Sequence, residues 1–277
     1  MLPELTFVQV LILVPLGLSV GAFGAMVGIG GGILLVPALL VLFPYAEPSV
    51  ITSMSLTAVI LNAASATMGY RRRGWQDTRT GLILIAAAVP AAVVGALLTR
   101  SVDRGGFELI FGTALVLGAI YLAFRGSKLP SLNEPSPSGR ARHIVDTGGT
   151  PYDYRVREPL AASIALGAGL VAAFFGIGGG IINVPVMMLV LKMPAKMSVA
   201  TSQMELMIAS VAAVLVHLLS SPGEWDPWIY GLITGAGTLV GAQIGVRAAG
   251  RASGRAVLLL IAGILMLSGV RGIMSGL

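Results

Sequence analysis

Glu205 is a carboxylate in a stretch, Met197–Leu219, whose only other ionisable residue is His217. Thr201 lies four residues before it and Ser202 three, so on a helix the three share a face. A carboxyl at membrane depth is costly and is a functional candidate by default. Beside hydroxyls that donate to anion oxygens while staying neutral, it can carry a proton as an anion is bound or released. Gln203 adds an amide on the same segment. An earlier stretch holds a second hydroxyl pair, Thr52 and Ser53, with Ser55 and Asn62 after it. A lone Ser or Thr in a helix often bonds only to its own carbonyls, but repetition at matched positions argues for a site. His217, near the end of its segment, reads as an interfacial residue.

A second kind of chemistry comes from glycine. Gly28-Ile29-Gly30-Gly31-Gly32 leads to Val36-Pro37, and the phrase returns as Gly176-Ile177-Gly178-Gly179-Gly180 before Val184-Pro185. Each copy lies inside an uncharged run, Leu5 to Ala46 and Pro159 to Leu191. Irregular backbone survives at membrane depth only where it is buried in protein or lines a cavity. A short helix starting just after such a turn aims its free N–H groups, and the positive end of its dipole, at whatever lies there. Two such ends would make an anion site without a buried cation. The expected ligands are the backbone of Gly30, Gly31, Gly32, Gly178, Gly179 and Gly180, flanked by Thr52, Ser53, Thr201, Ser202, Gln203 and Asn183. Glu205 is the proton-coupling candidate. The competing use of these glycines is close helix packing. No strand precedes either run and no Lys-Ser/Thr follows, which excludes dinucleotide and phosphate loops.

The elements that must position these groups are membrane helices. The 277 residues are 56% hydrophobic and 11% charged, with mean hydropathy +0.90, against about 25% charged in a soluble domain. The net charge of +6 comes from basic residues in short loops, so nucleic-acid binding is not expected. With no cysteine and two histidines, disulfides and thiolate chemistry are excluded, and neither a metal nor a cofactor is expected.

Charges and turn residues divide the chain into apolar segments: Leu5–Met26, Ile33–Phe43, Val50–Tyr70, Thr80–Thr99 and Phe107–Phe124, then Pro159–Phe175, Ile181–Leu191, Met197–Leu219, Pro227–Val246 and Ala256–Ile273. Residues 1–124 form a first transmembrane repeat and 159–277 a second. The Pro-, Ser- and Gly-rich stretch 125–158 reads as a flexible cytoplasmic linker. Ser49-Val50-Ile51-Thr52-Ser53 answers Ser198-Val199-Ala200-Thr201-Ser202, Trp75 answers Trp225, and Gly81 answers Gly231. Five segments per half invert the second half relative to the first. With both termini outside, ten crossings place all of the 18 Lys and Arg inside except Arg100, Arg104 and Arg271. An eight-crossing reading moves Lys192, Lys196, Arg247, Arg251 and Arg255 outside, and the positive-inside rule prefers ten. The segments after the glycines, at roughly 16 Å of helix, are too short for a core about 30 Å thick. They are expected as half-helices or re-entrant segments. Trp75, Trp225 and Trp228 are expected at the membrane interfaces.

The doubled glycine phrase with its Val-Pro, followed by Thr52-Ser53 and Thr201-Ser202, resembles the sulfite exporter TauE/SafE family, also called the 4-toluene sulfonate uptake permease family, over all but the 125–158 stretch. The resemblance implies an all-α plasma-membrane carrier of sulfur-containing anions such as sulfite, sulfonates or sulfoacetate, often exporting. It leaves a homodimer open. The halves differ, with Leu35 opposite Asn183 and Met54-Ser55-Leu56 opposite Gln203-Met204-Glu205. Two other readings compete. An anion channel shares the broken-helix architecture. An intramembrane serine protease would use Gly17-Leu18-Ser19-Val20-Gly21 with His217, but its elbow requires a strand-to-helix turn.

Overall fold

The computed structural model describes residues 6–126, 138–220, 223, 225–249 and 254–276. Its elements are α1 (Phe7–Val27), α2 (Gly32–Leu42), α3 (Pro48–Arg71), α4 (Thr78–Thr99), α5 (Arg104–Gly126), β1 (Arg140–Val145), β2 (Pro151–Val156), α6 (Glu158–Phe175), α7 (Gly180–Leu189), α8 (Ala195–Ser220), α9 (Asp226–Ala249) and α10 (Gly254–Gly276). Seven described helices, α1, α3 to α6, α8 and α9, are long and apolar enough to cross a membrane. The molecule is an all-α integral membrane protein with one small hairpin.

Local chemistry sets the ends. Thr6 and Gln9 close a capping box at the start of α1. Asp77 caps α4 by accepting from the Thr80 N–H at 2.9 Å. Pro48 occupies the first turn of α3. Helices α1 and α6 both stop at a glycine in the left-handed region, Gly28 (φ 89°) and Gly176 (φ 67°). There a side chain is strained by conformation as well as by crowding. A Cβ on Gly28 would stand 2.9 Å from Val199 Cα, and one on Gly176 would stand 2.7 Å from Thr52 Cα.

Small residues let the long helices pack backbone to backbone. Gly237, Gly241 and Gly245 of α9 meet, in turn, Val14, Leu18 and Ala22 of α1, so these two helices run parallel. Helices α4 and α6 do likewise, Gly169 meeting Ala88 and Gly95 meeting Leu170 and Phe174. Helices α3 and α8 run antiparallel through the middle, Thr52 lying beside His217. Helix α5 packs antiparallel to α10 around Gly112, Gly269 and Gly272. Phe107, Phe111, Phe174 and Phe175 form an aromatic cluster with ring centroids 4.8 to 6.0 Å apart, immediately before the second glycine turn.

The stretch expected as a flexible linker is ordered over residues 138–157. Strands β1 and β2 pair antiparallel, from Arg140 opposite Val156 to Val145 opposite Pro151. Asp146 makes the tight turn by accepting from the Gly148 and Thr150 N–H groups at 2.9 Å each. Alternation within Tyr152-Asp153-Tyr154-Arg155-Val156 buries Tyr154 and Val156 against the helices. Composition, rich in turn formers and charge, hid that short alternation. Residues 127–137 of the expected linker lie outside the described residues.

Candidate functional site

The two glycine turns meet. The place where a Cβ of Gly180 would stand is occupied by Gly28 and Ile29, and that of Gly32 by Ile177. The short helices α2 and α7 start from these turns, and neither start carries a side-chain cap. Pro37 and Pro185 stand inside them, one turn in, without ending either helix at that point.

The turns differ in what faces them. One methyl of Leu206 lies under Gly30 and the other under Gly178, while Val59 Cγ1 stands 3.3 Å from the place of a Cβ on either. Val20 covers Gly31. The first turn is therefore sealed by hydrocarbon. At the second turn, a Cβ on Gly179 would stand 3.2 Å from both Glu205 carboxylate oxygens and 3.1 Å from Asn183 Nδ2. Asn183 Nδ2 donates to Glu205 Oε2 at 2.7 Å, and both residues are buried. Glu205 Oε1 and Asn183 Oδ1 are buried without a hydrogen-bond partner. A cavity of only about 10 Å³, smaller than a sulfite ion, touches Gly178 and Gly179 and is otherwise lined by Leu56, Ser210 and small residues of α4, α6 and α8.

The hydroxyl pairs are not equivalent. Thr52 and Ser53 both donate to Ser49 O in their own helix, at 3.0 and 2.6 Å. Thr201 accepts from the Asp77 N–H at 3.1 Å, and Ser202 donates to Gly28 O at 3.1 Å. The partner of Ser202 in packing is Ser55, which donates to Gly176 O at 2.7 Å. Gly231 likewise covers Met54 and Thr57, whereas Gly81 covers Thr201 and Met204. The match of Thr52-Ser53 to Thr201-Ser202 is therefore displaced by two positions, and the packing counterpart of Glu205 is Ala58. Helix faces, not residue types, set these contacts.

Gln203 Nε2 donates to Gly24 O at 3.2 Å, tying α8 to the end of α1, and its Oε1 has no partner. Asn62, Tyr70 and Thr99 hold the backbones of Gly21, Ala25 and Phe174. His217, in the last turn of α8, is buried in the bundle, with Nε2 3.5 Å from Thr52 Oγ1. Trp75 is also buried, stacked on Tyr70 between Arg73 and Lys196, while Trp225 is exposed. Ser19 is exposed and donates to Pro15 O of its own helix at 3.0 Å, apart from His217. Arg104, which in sequence is only an outside charge, donates to Leu40 O, Phe43 O and Ala46 O and pairs with Glu108 at 2.8 Å. It closes the C-terminal end of α2, where a cation is favoured. No sequence signal marks it, because its acceptors are backbone atoms about 60 residues away in the chain.

The sulfite exporter TauE/SafE family profile matches residues 13–272. A probable membrane transporter protein of Bacillus subtilis, YunE, is 30% identical, the alignment covering 96% of this chain and 98% of that one. One from Methanocaldococcus jannaschii is 26% identical over 81% of this chain and 78% of its own. One from Haemophilus influenzae is 31% identical over 65% and 62%. No solved structure matches. A bilayer-spanning helical bundle with interrupted helices at its centre, matched by transporters along almost its whole length, is a multi-pass membrane transporter. The chain belongs to the sulfite exporter TauE/SafE family.

Proposed function

We propose that this transporter moves small sulfur-containing anions such as sulfite, sulfonates or sulfoacetate outward across the plasma membrane, each together with a proton held by Glu205. The observation that carries the reading is the Glu205–Asn183 pair, buried against Gly179 at the uncapped start of α7 with one oxygen of each residue unpartnered.

Those two bare oxygens are both acceptors, so the pair itself offers an anion no donor while Glu205 is ionised. A proton on Glu205 supplies one. If the Asn183 amide turns over to accept that proton through Oδ1, its NH₂ group is freed to donate to a ligand oxygen. Ser210 lines the small cavity against Gly179, and the start of α7 has no side-chain cap. An anion also enters more cheaply beside a neutral carboxyl than beside a charged one. Proton and monoanion then travel as an electroneutral pair.

The first turn takes the role of a wall rather than of a second ligand. Its counterpart positions, Leu35 and Ala58, have no polar side chain. Alternating access is assigned to two inverted halves, 1–124 and 159–277, with 125–158 cytoplasmic and both termini outside. The parallel α1–α9 and α4–α6 pairs support it, since exchanging the halves maps one pair onto the other. The test is uptake in proteoliposomes. Sulfite or sulfoacetate flux that saturates, shows counterflow and rises with an imposed proton gradient is expected. A flux indifferent to that gradient in the parent protein defeats the proton coupling.

A further inference from the structure

Away from the glycine turns, the largest set of buried charges lies at the hairpin. Arg142 of β1 reaches Asp77 at 3.2 Å and Glu158 at 2.9 Å, with the Arg142 and Asp77 side chains only 6% and 2% exposed. Tyr154 of β2 donates its hydroxyl to the same Asp77 oxygen at 2.9 Å. Asp77 is also the N-cap of α4, and its N–H donates to Thr201, one turn from Glu205 on α8. The hairpin is pinned at two further points. Thr147 N–H donates to Arg73 O at 3.1 Å, and Lys196, in the first turn of α8, donates to the Tyr152 hydroxyl at 3.2 Å. One small sheet thus bridges the α3–α4 loop and the starts of α4, α6 and α8. The α9 start, which answers that of α4, has Pro227 where α4 has Asp77. The clasp is one-sided.

A linker needs no buried guanidinium. Removing Arg and Asp from water is costly, and breaking such a pair by loss of one partner leaves a stranded charge. Shared over Asp77, Glu158 and Tyr154, the pair is satisfied while the sheet is down and unsatisfied once it lifts. Through Asp77, whose N–H donates to Thr201, the Arg142 pair is tied to α8.

We propose that the β-hairpin is a strap across the cytoplasmic entrance of the carrier, and that this entrance opens when Arg142 releases Asp77. The proposal rests on the carrier reading above for what passes through, though not for whether the entrance opens. The chain has no native cysteine, so one introduced thiol reports access without background. Met204, one turn beyond Thr201 and against Gly81 of α4, serves as that site. In vesicles exposing the hairpin face, Met204→Cys is expected to react slowly with a charged, membrane-impermeant thiol reagent. Adding Arg142→Ala should speed the reaction by about tenfold or more, as expected for loss of a buried pair. Tyr154→Phe, which removes one hydroxyl and keeps the ring, should give a smaller rise with a near-parental melting temperature. Labelling from the opposite face should not change. Equal rates in the three proteins from the hairpin face would overturn the strap. Faster labelling with no anion flux in any of them upholds the strap and defeats the anion reading. Anion flux with unmoved labelling does the reverse.

Discussion

Glu205 reaches the positive end of α7 from the side, which changes what that helix start can hold. A helix N-terminus favours negative charge by about 0.3–1 kcal/mol when exposed, and more when partly buried. The carboxylate beside Gly179 already uses that preference. On the proposed reading, an anion entering there meets that group neutralised by a proton. Glu205→Gln is expected to keep the fold and the Asn183 contact while removing any response of flux to a proton gradient. Gradient-driven uptake at the parental level in that variant would end the coupling. Asn183→Leu installs the residue that the first half carries at Leu35. We expect at least a tenfold fall in flux together with a lowered melting temperature, since loss of a hydrogen bond to a charged group costs about 1.5–3 kcal/mol; sulfite uptake beside a melting curve measures both. Glu205, Gln203 and Asn183 were legible in the sequence because polar groups in apolar stretches stand out. Ser55 stood out by type, but its partner Gly176 O did not; Ser210 and the clasp residue Arg142 were not legible, because their surroundings are fixed by helix rotation and by the hairpin.

At the scale of elements, α2 and α7 were readable as too short, and their starting turns as glycine-dependent. Which turn faces polar side chains was not readable, since Leu206, Val59 and Val20 look like ordinary membrane residues until packed. Gly28→Ala tests the geometry. Left-handed backbone costs a non-glycine residue about 1–2 kcal/mol, and the new methyl presses on Val199 Cα, so a clear fall in melting temperature in detergent is expected. A parental melting curve would contradict the packing of that turn. Arg104→Met should loosen the far end of α2 by releasing three carbonyls together. Limited proteolysis near Tyr45 reads that change. The hairpin has its own pH response. Backbone donation from Thr150 and Gly148, with Tyr152 and Trp75, holds the Asp146 carboxyl below the usual carboxylate range. A lowered folded-state value adds stability above the unfolded value, lost as pH falls through the folded one. The hairpin should therefore hold at neutral pH and loosen only in acid below about pH 4, visible as faster amide exchange at Thr150.

For the whole molecule, the ten segments and the membrane setting followed from hydropathy and from where Lys and Arg fall. The parallel pairing of α1 with α9 and of α4 with α6 did not, because glycine and alanine seams bear no label naming their partner. Thiols introduced at Thr150 and Tyr45, both exposed, should react from opposite faces of the cell membrane. Reaction from a common face would overturn the assigned crossings between them, and Thr150 reacting from outside with Tyr45 from inside would reverse the orientation. One side chain then has consequences for the entire bundle. Leu206 lies under both bends at once, a methyl to each, like a shim shared by two doors on one hinge post. If the carrier reading holds, an inward swing of either bend is expected to press this one side chain against the other bend, coupling the two. Leu206→Ala is expected to uncouple them, read as passive leak of small anions from proteoliposomes beyond that of the parent protein.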